Sequence, residues 1–254
     1  MVTAVKVSVL CPTRKRAASL AVSVNGLLDL AGSPGEVEVL VATDPDDTGI
    51  YVGGDYGDGG RVWIWQAPER YGYARLHEYY NALAKMAAGE WLLIWNDDAR
   101  MVTPGWDAII AARQPGVLWL GANHHHSASM FPAWPKAWAD ALGYVSPVAH
   151  CDTYLQYLGE GLGGLVKVPV EVLHDRADVT GGHDDATYAE GRGRIGPHGM
   201  VDGFDGPAVR AQVVQDVLTI ERLGAVRMLW AVSNEQPKKG CDQWRRAPAL
   251  AGPH

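Results

Sequence analysis

Strands and helices alternate over the first 120 residues, which predicts an α/β protein with a mostly parallel central sheet, flanking helices and a helical C-terminal extension. Three observations carry this expectation. The runs EVEVLVAT (36–43), RVWIWQ (61–66) and EWLLIW (90–95) are almost uninterruptedly apolar, as a sheet covered on both faces requires. The segments between them place apolar residues at helical spacing. With 254 residues, 47% hydrophobic and 20% charged, the chain is long and apolar enough to bury one large core.

Taken in order, residues 5–11 form the first strand, which Pro12 in CPTRKR stops. Leu20, Val24, Leu27 and Leu28 then mark a helix over 17–31. Strands follow at 36–43 and 61–66, a helix at 72–88, and strands at 90–95 and 117–121. Beyond 121 the pattern loosens into a HHHS tract, a Trp- and Pro-rich stretch FPAWPKAW, a helix over 152–161 and a strand over 165–173. Residues 207–223 read as an amphipathic helix whose stripe, Val209, Val213, Val217 and Ile220, packs on the sheet or on a second copy of the chain in a homo-oligomer. The last residues read as a loosely held tail.

Composition excludes several classes of function. Cys11, Cys151 and Cys241 are too few and too scattered for a disulfide scaffold or a CxxC zinc site, and favour a reducing compartment. A net charge of −7 without a Lys/Arg-rich run argues against duplex nucleic acid or an anionic membrane as the main partner. No stretch of 18 apolar residues and no signal-peptide pattern is evident, so membrane insertion is not expected and a cytoplasmic location is. Gly is enriched, 30 residues in 254 against a usual ~7%, and concentrates in 53–60 and 181–206, which read as long functional loops.

The most informative segment is GEWLLIWNDDARMVTPGWDAII at 89–110. A buried strand ending in Asn96, Asp97 and Asp98 presents oxygen ligands at its carboxyl end, where a hard divalent cation can sit between protein and a diphosphate. The same residues also fit a turn whose acids cap a helix.

The ordered set Asn81, Ala87, Gly89, WLLIW, Asn96-Asp97-Asp98 and TPGWD at 103–107 resembles the GT-A glycosyltransferases, especially family 2-like enzymes of bacterial and phage type. VSVLCPTRKR is similar to that family's first strand and base-binding turn, and VEVLVATDPDD to its second strand. The resemblance covers residues 5–175 and implies a GT-A domain over 1–205, with a nucleotide-binding half to about 121, an acceptor half over 122–205, and a helical extension and tail over 206–254. It implies a Mn²⁺- or Mg²⁺-dependent hexosyltransferase that takes a UDP- or GDP-sugar to a protein, a glycan or a nucleic acid base. By that resemblance Pro12, Thr13 and Arg14 form the base-binding turn and Asp44 holds the nucleobase. Beside it, Arg14, and Arg75 with Tyr71 and Tyr73 at the start of the 72–88 helix, offer a charge-assisted contact or a stacking surface for the nucleotide. Asn81, Asn96 and Asp97 belong to the donor site, with Asn96 toward the ribose or a water. Asn96 stands where the family's first acidic residue stands, so Asp98 carries the metal contact, completed by His174 at the end of VKVPVEVLH. Asp152 corresponds to the general base; a single displacement with it as base inverts the anomeric centre. For Asp152 a helix N-cap is the alternative reading.

Two other functions stay open. A nucleotidyltransferase shares such a sheet but opens with a Gly-rich loop that CPTRKR lacks, and a non-catalytic nucleotide- or carbohydrate-binding module agrees with Asn at position 96. Neighbouring His124, His125 and His126 point alternately on extended backbone, which disfavours convergence on a metal. If helical, Trp134 and Trp138 share a face and either stack on a sugar or pack on the sheet. GGHDDATYAEG at 181–191 resembles a loop that closes over the donor, with Asp184 and Asp185 as alternative carboxylates.

Overall fold

The computed structural model describes residues 4–49, 53–56, 60–123, 131–176 and 206–224, together with 180, 181, 186, 189 and 190. His124–His126, Asp184, Asp185 and the tail after 224 lie outside the described residues.

Strands β1 (Val7–Pro12), β2 (Val37–Thr43), β4 (Gly60–Gln66) and β5 (Trp91–Ile94) form a parallel block in the order β4-β2-β1-β5. Every residue of β2 and β5 is buried, as helices on both faces demand, whereas the RVWIWQ run in β4 is not covered on both faces and leaves Trp63 53% exposed. The short β3 (Gly54–Tyr56) adds antiparallel to β4. On the other side the sheet becomes mixed. β8 (Pro132–Pro135) runs antiparallel between β5 and β7 (Leu118–Ala122), β9 (Val166–His174) lies parallel to β7, and β6 (Ala99–Met101) closes the edge antiparallel to β9, giving nine strands among the described residues.

One face is covered by α1 (Ala17–Asp29), which buries the predicted Leu20, Val24, Leu27 and Leu28, and by α3 (Trp106–Ala111). The TPGWD segment is architectural: Trp106 Nε1 donates to the Leu27 carbonyl (2.8 Å), and the buried Asp107 accepts from the N–H groups of Gly32 (2.6 Å) and Ser33 (2.9 Å). The other face is covered by α2 (Leu76–Met86), α4 (Lys136–Leu142), α5 (Cys151–Gly161) and α6 (Pro207–Arg222). α6 turns Val209, Val213 and Ile220 inward against α4 and α5, so its apolar stripe is buried on its own chain.

Trp134 lies in β8 and Trp138 in α4, and both are fully buried, so they pack in the core and do not form an exposed sugar-stacking pair. Gly89 is needed where it stands: a Cβ there would lie 2.6 Å from Ser8 Oγ and 2.7 Å from Ser8 N. Cys11 and Cys151 are buried free thiols. Among the described residues no helix is long and apolar enough to cross a membrane.

Candidate functional site

Parallel pairing aligns the ends of β1, β2 and β5, with Leu10 opposite Ile94 and Pro12 opposite Ala42, so that residues just past those ends collect at one edge of the sheet. The turn after β1 is held from three directions. Thr13 Oγ1 donates to Asp97 Oδ2 (2.6 Å), Arg16 Nη1 to Asp97 Oδ1 (3.0 Å), and Ser19 Oγ to the Asp97 carbonyl (2.9 Å). Both oxygens of Asp97 are thus used to tie the turn to the end of β5. Burial, together with Asp98 nearby, outweighs Arg16 and holds the Asp97 carboxyl above its ordinary range. Lys15 sits at φ 56°, a region side-chain-bearing residues rarely adopt, and its N–H is held by Asp47 Oδ2 (2.6 Å).

Asp44, 2% exposed, gathers the next group. Arg14 Nη1 donates to its Oδ2 (2.5 Å) and forks onto Asp46 (2.6 and 2.7 Å), while the Tyr79 hydroxyl donates to Asp44 Oδ1. Arg70 Nε approaches Asp44 Oδ2 at 3.8 Å. Tyr79 in turn accepts from the N–H groups of Tyr71 (3.0 Å) and Gly72 (3.1 Å), fixing the loop before α2. Arg75 does not reach this group. It stacks 4.5 Å above the Tyr71 ring and pairs with Glu69 at 2.9 Å. Of the 181–191 loop, Glu190 accepts from Arg70 Nη2 and from the Tyr73 N–H (3.3 Å).

The register of β6 on β9 places Ala99 opposite His174, and therefore sets His174 beside Asp98. Asp98 Oδ1 and His174 Nε2 are 3.0 Å apart, both residues being buried, and Asn96 Nδ2 lies 3.3 Å from the same imidazole nitrogen. Asn123 clamps the His174 backbone on both sides (2.7 and 3.3 Å), and the His174 ring meets Phe131 edge-on at 5.1 Å. This pair fits a divalent cation. The carboxylate oxygen and the imidazole nitrogen, buried and facing each other, are the donors that would hold it. No third His, Cys, Asp or Glu completes a metal-sized cluster among the described residues. Arg16 Nη1, 3.7 Å from Asp98 Oδ2, adds a fixed positive charge at the same place.

Asp152 is the second residue of α5. The N-cap position belongs to His150, and Asp152 Oδ1 accepts from the Thr153 N–H (2.8 Å). Burial raises its carboxyl above the ordinary range. Burial, and next the charge of Asp98, raise the Tyr73 phenol above its ordinary value. Both ends of the Asn81 amide are bound to the backbone of Val145 and Ser146.

Tyr79, Arg70 and Asn123 were not legible as site residues. Tyr79 stands out only as a tyrosine on the inward face of an amphipathic helix, which reads as core, and Asn123 only as a polar residue after a strand.

No protein-family model and no curated protein sequence matches the chain. Its fold is similar to that of a mannosyltransferase of Pyrobaculum calidifontis solved with GDP-mannose and Mn²⁺, at TM-score 0.55 and 13% identity over 94% of this chain and 82% of that one. It is also similar to residues 1–349 of TarS of S. aureus, solved with UDP at TM-score 0.51 and 14% identity, and with UDP-GlcNAc at 0.50 and 15%, each over 84% of this chain and 70% or 71% of that fragment. The chain has the GT-A fold.

Proposed function

We propose that this chain is a metal-dependent glycosyltransferase that moves a hexose from a UDP- or GDP-sugar to an acceptor hydroxyl or amine of a protein, glycan or nucleic acid base, with inversion, in the cytoplasm of the cell that makes it. The observation that carries the reading is the convergence of Asp98 Oδ1 and His174 Nε2, 3.0 Å apart at the strand-end edge, beside Arg16 and the Asp44 cluster. The structures of similar fold that hold GDP-mannose with Mn²⁺, UDP or UDP-GlcNAc support it.

In this reading residues 1–121 bind the nucleotide and 122–205 the acceptor. Pro12, Thr13 and Arg14 shape the base pocket, Asp44 accepts from a base N–H, and Tyr71, backed by Arg75, offers a ring face. Asp98 and His174 would hold Mn²⁺ or Mg²⁺, which when bound supplies Lewis-acid stabilisation of the departing diphosphate. Asn96 orients the ribose or a water. Arg16 adds a fixed cation toward the phosphates, with no reorganisation as charge builds. Asp152 accepts the acceptor's proton; burial raises its carboxyl above the ordinary range, and a carboxylate of raised pKa is a stronger base.

Calorimetric titration of UDP and GDP, with and without Mn²⁺, tests this. The parent is expected to bind one of them more tightly with Mn²⁺, and Asp98→Ala to lose that increment while keeping its fold. A ligand at 100 times its Kd raises native-state stability by roughly 2.7 kcal/mol, so a thermal-shift panel gives a second readout. Mn²⁺-dependent affinity unchanged in Asp98→Ala refutes the assignment.

A further inference from the structure

Three consecutive side chains of α2 reach three different walls of the site. Tyr79 donates to Asp44. The Tyr80 hydroxyl donates to the Trp95 carbonyl (3.2 Å) and faces Asn96 Oδ1 (3.5 Å). Asn81 Oδ1 accepts from the N–H groups of Val145 (2.7 Å) and Ser146 (3.2 Å), and its Nδ2 donates to the Ser146 carbonyl (2.9 Å). Successive helical residues point about 100° apart, so one rigid turn of helix fans these groups toward the Asp44 cluster, the end of β5 and the segment before α5.

The third contact leads by a continuous set of bonds to Asp152. Ser146, fully buried, donates through Oγ to the Val148 carbonyl (2.8 Å) and accepts from the Val148 N–H (3.1 Å). Cys151 Sγ faces the carbonyls of Val148 (3.6 Å) and Ala149 (3.7 Å), and Asp152 follows. His150 gives α5 no side-chain cap, so the segment before the helix, rather than a cap, determines where the helix begins. An asparagine amide that grips one peptide stretch with both ends fixes both its height and its tilt, which a single hydrogen bond does not.

We infer that Asn81 is a positioning residue for Asp152: through the 145–151 segment it holds the start of α5 at a set distance from the strand end that carries Asn96 and Asp98, without touching the donor. This rests on the reading of Asp152 as general base. A displacement of about 1 Å at a reacting group costs on the order of 10²-fold in rate, which is the effect a loosened 145–151 segment would have.

The test measures hydrolysis of UDP-glucose, UDP-N-acetylglucosamine and GDP-mannose with Mn²⁺, using the donor turned over fastest, in parent, Asn81→Ala, Asn81→Asp, Asp152→Asn and the Asn81→Ala/Asp152→Asn double variant. Asn81→Ala is expected to lower kcat by about 10²-fold with Mn²⁺-nucleotide affinity within about twofold of the parent. Asn81→Asp, which keeps both contacts at Oδ1 but turns an acceptor onto the Ser146 carbonyl, is expected to lower kcat as well, and it carries the test if the alanine variant does not fold. The double variant is expected to be no slower than Asp152→Asn, since Asn81 acts through that carboxylate. Losses that multiply in the double variant, or an Asn81→Ala kcat within a few-fold of the parent while Asp152→Asn falls by ~10², overturn the inference. So does a loss of nucleotide affinity in Asn81→Ala, which would return Asn81 to the donor site. Full turnover in Asp152→Asn removes the base assignment instead, and a parent that turns over none of the donors removes the glycosyl-transfer reading.

Discussion

Replacing Asp216 with Ala should unfasten α6. Asp216 is 3% exposed and accepts from three donors: the Tyr144 hydroxyl (2.8 and 2.9 Å to its two oxygens), Gln212 Nε2 (2.8 Å) and the hydroxyl of Tyr154, itself fully buried on α5. Hydrogen bonds to a charged group contribute ~1.5–3 kcal/mol each, and a buried donor left unsatisfied costs ~1–3 kcal/mol. These contributions are not additive. Gln212 can still donate to the Tyr144 hydroxyl (2.9 Å), so the loss falls mainly on Tyr154. A net cost of about 3–5 kcal/mol follows, from one lost hydrogen bond to a carboxylate together with one buried phenol left unsatisfied. For a chain of this size that is a fall in Tm of roughly 6–20 °C. Gln212→Ala leaves both phenols bonded and should cost under ~1 kcal/mol. Urea denaturation followed by circular dichroism gives both values, and limited proteolysis should cut Asp216→Ala first near α6. An Asp216→Ala variant within about 1 kcal/mol of the parent would show that the network does not dock the helix.

The phenols of Tyr79 and Tyr144 are each pushed up to about 12, by burial first and by the carboxylates of Asp44 and Asp216 next. The folded state therefore keeps protons the unfolded chain has lost, so this stabilisation is complete below pH ~10 and disappears as pH rises from 10 through 12. The urea midpoint should fall across that window and fall less in Tyr144→Phe; equal slopes would contradict it. Gly89→Ala should destabilise by at least ~1–3 kcal/mol in the same assay, because the added Cβ meets the backbone of β1, 2.7 Å from Ser8 N and 2.9 Å from the Val7 carbonyl carbon. His174→Ala should weaken Mn²⁺ binding in the presence of UDP or GDP by at least ~10-fold, read by electron paramagnetic resonance of free Mn²⁺, while metal-free nucleotide affinity stays level. Unchanged Mn²⁺ affinity would remove His174 from the metal pair.

The parallel block and the strand-end edge that carries the candidate site were readable from the order of amino acids alone. β2 and β5 are buried on both faces and therefore read as apolar runs, and residues directly after a parallel strand, here Asn96-Asp97-Asp98, must lie at its carboxyl end. α1 and α6 were legible because their buried residues fall at helical spacing. The mixed half was set by long-range packing. β6 and β8 are three and four residues long, too short for a period to show, and it is the pairing of β6 with β9 that sets His174 beside Asp98. Packing also separated acids of identical type. Asp97 ties the first turn through Thr13 and Arg16, Asp98 faces an imidazole, and Asp107 caps a backbone loop, because a carboxylate's role depends on which donors the fold brings within ~3 Å, and those donors come from distant parts of the chain. Asn81 makes the same point from within the motif. Its place in the sequence marked it for the donor, while packing of α2 against the segment before α5 turned its amide to the backbone of Val145 and Ser146.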